Sequence, residues 1–208
     1  MSTPPHIDAT PARFIEADGP VYALVGTVLD RTKVSEDDPI HILVAPDSVR
    51  EYAAEFLPVF DFFRVPREEW QVREWLSWAG GEDDFLKALL DTGSVVRVET
   101  RDPLAASESL RGLRVAPQCS PFEVSPNAPG LLYVRRDESE DSYLPITFEL
   151  AEAMWGEQVP ADVPTAIERV ERKYKLPFDV AARRVLSDIP LLLLHSYARL
   201  EWLNVPRP

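Results

Sequence analysis

Apolar and polar positions follow two different periods along this chain, and the switches between them mark its elements. Ile167, Val170 and Tyr174 recur at helical spacing, while Glu168, Arg169, Glu171, Arg172 and Lys173 between them form a wet face. Pro164 and Thr165 open this helix. Leu176 and Pro177 end it, because proline pushes the residue before it out of helical geometry. A further helix starts near Phe178 and carries Ala181, Ala182, Val185, Leu186 and Ile189 on its apolar side. Pro190 kinks or restarts it, and the apolar run 191–194 reads as a buried helical segment. Residues 198–203 then alternate as a closing strand. Upstream, Pro129 and Gly130 launch a strand over 131–136. The acidic run 137–141 is a solvated loop, and Thr147 caps a short helix with Leu150 and Met154 inward and Gly156 at its end.

The first half repeats this order loosely. Residues 21–29 are almost wholly apolar and read as a buried strand, and 40–44 as a second one. Asp47 is a candidate helix cap, with Val49, Tyr52, Ala53, Phe56, Leu57 and Phe60 at helical spacing through about Phe63. Pro66 opens a helix with Glu68 and Glu69 in its first turn, where negative charge suits the dipole. Trp70, Trp75 and Trp78 load that helix, read here mainly as a core wedge. Gly80 and Gly81 stop it, and Glu82 leads into a helix over 85–90 that ends at Gly93. Residues 94–100 alternate as a strand. The expected class is therefore α+β, as two tandem winged-helix-like modules, each a small β-sheet with three helices. Their bounds are 20–111 and 131–204, after a flexible tail 1–19 and around a Pro-rich linker 112–130.

Residues 128–138 (APGLLYVRRDE), 146–156 (ITFELAEAMWG) and 165–192 (TAIERVERKYKLPFDVAARRVLSDIPLL) together resemble the PqqD-like family, the RiPP recognition elements. The resemblance covers about residues 128–203. It rests on the Ala-Pro-Gly strand entry, the Asp-Glu turn, the glycine-closed helix, the Lys-Tyr-Lys-Leu-Pro phrase and an Ala-rich third helix. It implies a small winged-helix domain that holds the leader of a peptide being modified, without chemistry of its own. The implied mode adds a guest strand to a sheet edge and sets apolar guest side chains against a helix. Leu131 and Tyr133 would then lie on or near the receiving sheet, Val185 and Leu186 would line the helix, and Arg183 and Arg184 could meet an acidic guest.

Charge and composition narrow the partner. The formal net charge is −13, which disfavours general phosphate binding to nucleic acid. Arg183 and Arg184, with Arg169, Arg172, Lys173 and Lys175, are the one candidate patch for a DNA-reading helix, and acidic residues interleave it. The overall acidity favours a basic guest. A transcriptional regulator or a DNA mimic is the alternative. Cys119 is the single cysteine, so no internal disulfide forms, which fits a reducing compartment. No apolar run reaches membrane-spanning length, and 1–11 lacks the pattern of a secretory signal. The expectation is a cytoplasmic protein without a membrane partner.

Chemistry-bearing patterns are few. Leu89, Leu90, Asp91, Thr92, Gly93 and Ser94 resemble the active-site phrase of retroviral-type aspartic proteases. There two carboxylates share a proton, which in a single-motif chain requires a homodimer. The same residues also read as a helix end, with Gly93 in the left-handed position. His6, His41 and His195 are too scattered for a metal centre, and no glycine-rich phosphate loop or Gly-x-Ser-x-Gly elbow occurs. No catalytic residue, cofactor or metal is expected. The sequence points to a non-enzymatic peptide- or protein-binding module, with its oligomeric state and guest left open.

Overall fold

The computed structural model describes residues 10–30, 40–45, 48–53, 56–79, 83–124, 128–136, 142–156 and 159–203. The chain is mixed α and β, with small antiparallel sheets and short helices. Its first sheet places β1 (Val21–Leu24) between β5 (Arg67–Glu68) and β6 (Val95–Val98). Consecutive strand residues point to opposite faces. The unbroken apolar run of β1 therefore requires cover on both sides, and it receives it.

On one face Tyr22, Leu24 and Val95 pack with Phe60, Phe63, Val72, Trp75 and Leu76. These come from α1 (Leu57–Arg64) and α2 (Glu69–Ala79), and α3 (Asp83–Asp91) adds Leu89. On the other face Val21, Ala23, Val96 and Val98 enter a larger core. That core continues through Leu110, Leu113, Val134, Ile146, Leu150, Ile167, Val185, Leu186, Ile189 and Leu200. One apolar interior thus runs from residue 12 to residue 200.

The rest of the chain builds that interior. After α4 (Pro103–Ser109), β7 (Leu113–Pro117) pairs with the closing strand β11 (Ala198–Trp202), Leu113 opposite Trp202. Val25 forms a parallel bridge with Leu200, which joins this ladder to the end of β1. A three-stranded sheet follows in the order β10-β9-β8, from β8 (Ser120–Val124), β9 (Leu131–Arg135) and β10 (Leu144–Thr147). Behind it pack α5 (Phe148–Trp155), α6 (Val163–Tyr174), α7 (Phe178–Leu186) and α8 (Ile189–Leu194). Thr147 and Asp162 cap α5 and α6 by accepting from the amides of Leu150 and Thr165.

Several elements differ from the sequence reading. Val49, Tyr52 and Ala53 lie not in a helix but in β4 (Ser48–Ala53), a hairpin partner of β3 (Ile40–Ala45) with Val44 opposite Val49. The same residues fit a period of two as well as one of three to four, and pairing with β3 settles the choice. β2 (Thr27–Asp30) completes that sheet, so the run 21–29 is two strands broken at Gly26, whose φ is +94°. Residues 10–19 are not a loose tail: Phe14 and Ile15 are buried in the main core. The stretch 112–130, read as a linker, carries β7 and β8. Pro117 and Pro121 sit in these strands because each belongs to a sheet's outer strand, where a missing N–H is tolerated. Of the tryptophans, Trp75 is buried as expected, whereas Trp70 and Trp78 are exposed. Asp47, Glu82, Gly80, Gly81 and the loop 137–141 lie outside the described residues.

Candidate functional site

The sheet β10-β9-β8 has one face in the core and one face open. Alternation along β9 sets this up. Leu132 and Val134 point inward to the core, so Leu131, Tyr133 and Arg135 point outward. On β10, Leu144 and Ile146 point inward, which turns Tyr143 and Pro145 outward. A bulge between Pro121 and Glu123 re-aims β8 beside them.

Aromatic rings gather on the open face. The Phe122 and Tyr143 rings stack with centroids 4.9 Å apart, and Tyr133 meets Tyr143 edge-on at 6.5 Å. The Arg135 guanidinium lies over Phe122 at 4.3 Å. Phe122, Val124 and Tyr143 remain 42, 54 and 44 % exposed, so this cluster is a surface and not a core. Large apolar side chains grouped on a surface mark a contact site more often than scattered ones do.

The two margins of the sheet differ. Along β10, Pro145 has no N–H to offer. The Thr147 amide is bonded to Asp188, whose carboxyl is pushed above the usual carboxylate range by burial, an effect that this bond only partly offsets. The Thr147 hydroxyl donates to the Arg184 carbonyl at 3.1 Å. At Pro145 and Thr147 this margin thus offers no free N–H to a guest strand. Among the described strands β8 is bonded to β9 alone, and every one of its residues is exposed.

The residues expected at the site divide accordingly. Tyr133 and Leu131 lie on the open face of β9. Val185 and Leu186 do not line an accessible groove: both are fully buried, because the apolar side of α7 is consumed by the core. Arg183 is held by Glu16 at 3.0 Å, and Arg184 pairs with the buried Glu149. Both guanidinium groups thus serve internal contacts. Lys173, in the same basic stretch, pairs with Glu152 at 2.6 Å. Phe122 and Tyr143 were missed from sequence. One lies in the stretch read as linker and the other beside an acidic loop, and only the pairing of β8 and β10 with β9 brings them together.

Asp91, Thr92 and Gly93 close α3. The Gly93 amide donates to the Leu90 carbonyl and the Ser94 amide to that of Leu89, with Gly93 at φ +67°. This is the paired-bond helix stop that glycine favours. Burial pushes the Cys119 thiol up to about 11, which holds it in the poorly nucleophilic protonated form at neutral pH. Among the described residues no three His, Cys, Asp or Glu side chains converge as a metal site would require, and no helix is long and apolar enough to cross a membrane.

Comparison with protein-family models, with curated proteins and with solved structures found no match to this chain.

Proposed function

We propose that the protein is a non-enzymatic binding module that takes an extended peptide segment along the free margin of β8. The observation that carries this reading is the exposed Phe122–Tyr143–Tyr133 cluster on the open face of a sheet whose β8 margin is, among the described strands, bonded on one side only. An added strand satisfies its own backbone through ladder bonds to β8 and places alternate side chains over the rings. The guest is apolar or aromatic at alternate positions and carries Lys or Arg. The protein's net charge of −13, and the Asp137, Glu138, Glu140 and Asp141 that join β9 to β10 in sequence, favour cations.

In fold terms we read β8–β10 with α5–α7 as a winged-helix-like unit of the PqqD-like kind. Three strands followed by three helices agree with that resemblance, and β8 supplies a strand that the sequence reading had placed in a linker. The difference lies in the receiving margin. At the β10 side Pro145 lacks an N–H and the Thr147 amide is bonded to Asp188, which favours β8. On this reading the guest is the leader segment of a peptide undergoing modification. Val185 and Leu186 act as core behind the sheet and not as guest contacts.

Selection of a phage-displayed library of random linear peptides on the full chain tests the proposal. Enriched peptides should alternate apolar residues and carry net positive charge. Phe122→Ala and Tyr143→Ala should each weaken their binding by about 10-fold or more, as truncation of central aromatic contacts does. Melting temperatures measured in parallel separate this from unfolding. Enrichment that is equal on a Phe122→Ala, Tyr143→Ala double variant would defeat the reading.

A further inference from the structure

Glu123 stands opposite Tyr133 in the β8–β9 ladder, and residues directly opposite each other share a face of the sheet. Tyr133 is on the open face, so Glu123 is on it too. The bulge at Phe122 makes this possible. Consecutive strand residues ordinarily alternate between faces, yet the Phe122 ring stacks on Tyr143 on this same face. The extra residue therefore sets a ring and a carboxylate side by side on the strand that borders the free margin.

Glu123 is exposed and makes no hydrogen bond or ion pair among the described residues. Arg135, the other charged residue of the three strands, lies over the Phe122 ring and pairs in register with Ser120, towards the far end of β8. A strand added to β8 brings its residue opposite Glu123 to about 4.5–5.5 Å between Cβ atoms. The acidic groups elsewhere in the chain act on a guest through screening solvent and do not favour one of its positions over another. Glu123 does.

Resting on the strand-addition reading above, we infer that Glu123 sets the register of the guest. The guest carries Lys or Arg directly opposite it and apolar residues two positions to either side, towards Phe122 and towards Leu131. A slip of one residue turns the cation off the open face. A slip of two carries it away from the carboxylate, to the Leu131 side or to the end that holds Arg135. The general preference for a basic guest thus becomes a requirement at one position.

Selection of displayed random linear peptides on the parent chain and on Glu123→Lys tests this. Peptides from the parent should show one position fixed as Lys or Arg, with apolar residues two positions away on both sides. On Glu123→Lys the same position should turn to Asp or Glu while the apolar positions stay. A synthetic parent-selected peptide whose fixed cation is replaced by glutamate should bind the parent about 5-fold more weakly in fluorescence anisotropy, the scale of an exposed charge pair. It should recover on Glu123→Lys. Glu123 is exposed, so this variant should keep the parent melting temperature. Peptides that need Phe122 and Tyr143 but show no fixed cation, or the same one on both proteins, overturn the inference and leave the strand-addition reading standing. Absence of any peptide that needs the two rings overturns both.

Discussion

The indole Nε1 of Trp202 donates to the carbonyl of Gly93 at 2.9 Å, across 109 positions of sequence. The bond ties the last strand to the turn that ends α3. It joins two elements that the sequence places in separate modules. Gly93 can present that carbonyl because its left-handed turn reverses the chain directly after the helix.

Trp202→Phe keeps most of the ring but removes the donor. The expected loss is about 1 kcal/mol, the scale of one intramolecular hydrogen bond. Urea unfolding should show a lower midpoint with an unchanged slope. An unchanged midpoint would mean that the two elements are held by apolar packing alone.

Phe14 makes a similar point at the other end of the chain. It is fully buried against the main core, and the Ala12 amide donates to the Pro66 carbonyl at 2.9 Å. Phe14→Ala should therefore cost about 3–5 kcal/mol, as loss of a buried aromatic does. A loose N-terminal tail would make the substitution silent, so a thermal melt of this one variant decides between the two.

These two contacts show where sequence reading succeeds and where it stops. The stripe of Ile167 and Val170 in α6, and that of Ala181, Ala182, Val185 and Leu186 in α7, was legible because one helix face decides burial. What those faces bury against was not legible. Val185 reads equally well as core and as a groove for a guest. Phe14 was hidden because Pro11 and its neighbours carry the local composition of a tail, and only distant partners make it core. Residues 48–53 fit two periods, so the hairpin with β3 could not be told from a helix. At the candidate site, Tyr133 and Leu131 could be read from the alternation of β9. Phe122 and Tyr143 reach Tyr133 only through strand pairing.

Asp162 gives a pH-dependent prediction. Its carboxylate accepts from the Thr165 amide at 3.1 Å and the Gly112 amide at 3.0 Å, capping α6 and fastening the turn before β7. Partial burial pushes its pKa up, but the bonds from Thr165 and Gly112, with Arg111 nearby, outweigh this and hold it below the ordinary carboxylate value. A folded pKa below the unfolded one means that the contribution is present above the ordinary carboxylate range. It is lost as pH falls through the folded value. Asp162→Ala should cost about 1 kcal/mol at neutral pH, typical of a lost cap. The gap between parent and variant should narrow as the medium is made acidic. A gap that stays constant across that window would assign the effect to packing instead of charge.

Ser196 tests the turn between α8 and β11. Its amide donates to the Leu193 carbonyl and the next amide, of Tyr197, to that of Leu192, so it occupies the helix-stop position that Gly93 occupies after α3. Unlike Gly93, it carries a side chain at φ +57°. A β-branched residue is strongly disfavoured there, whereas glycine adopts the conformation freely. Ser196→Val should thus be less stable than Ser196→Gly by about 2 kcal/mol, within the range for a strained backbone. The glycine variant should melt close to the parent, since the strain it relieves is offset by its greater freedom when unfolded. Comparing the two separates backbone geometry from loss of the hydroxyl, because both lack it. If they melt together, the left-handed turn is not what the fold demands at this position.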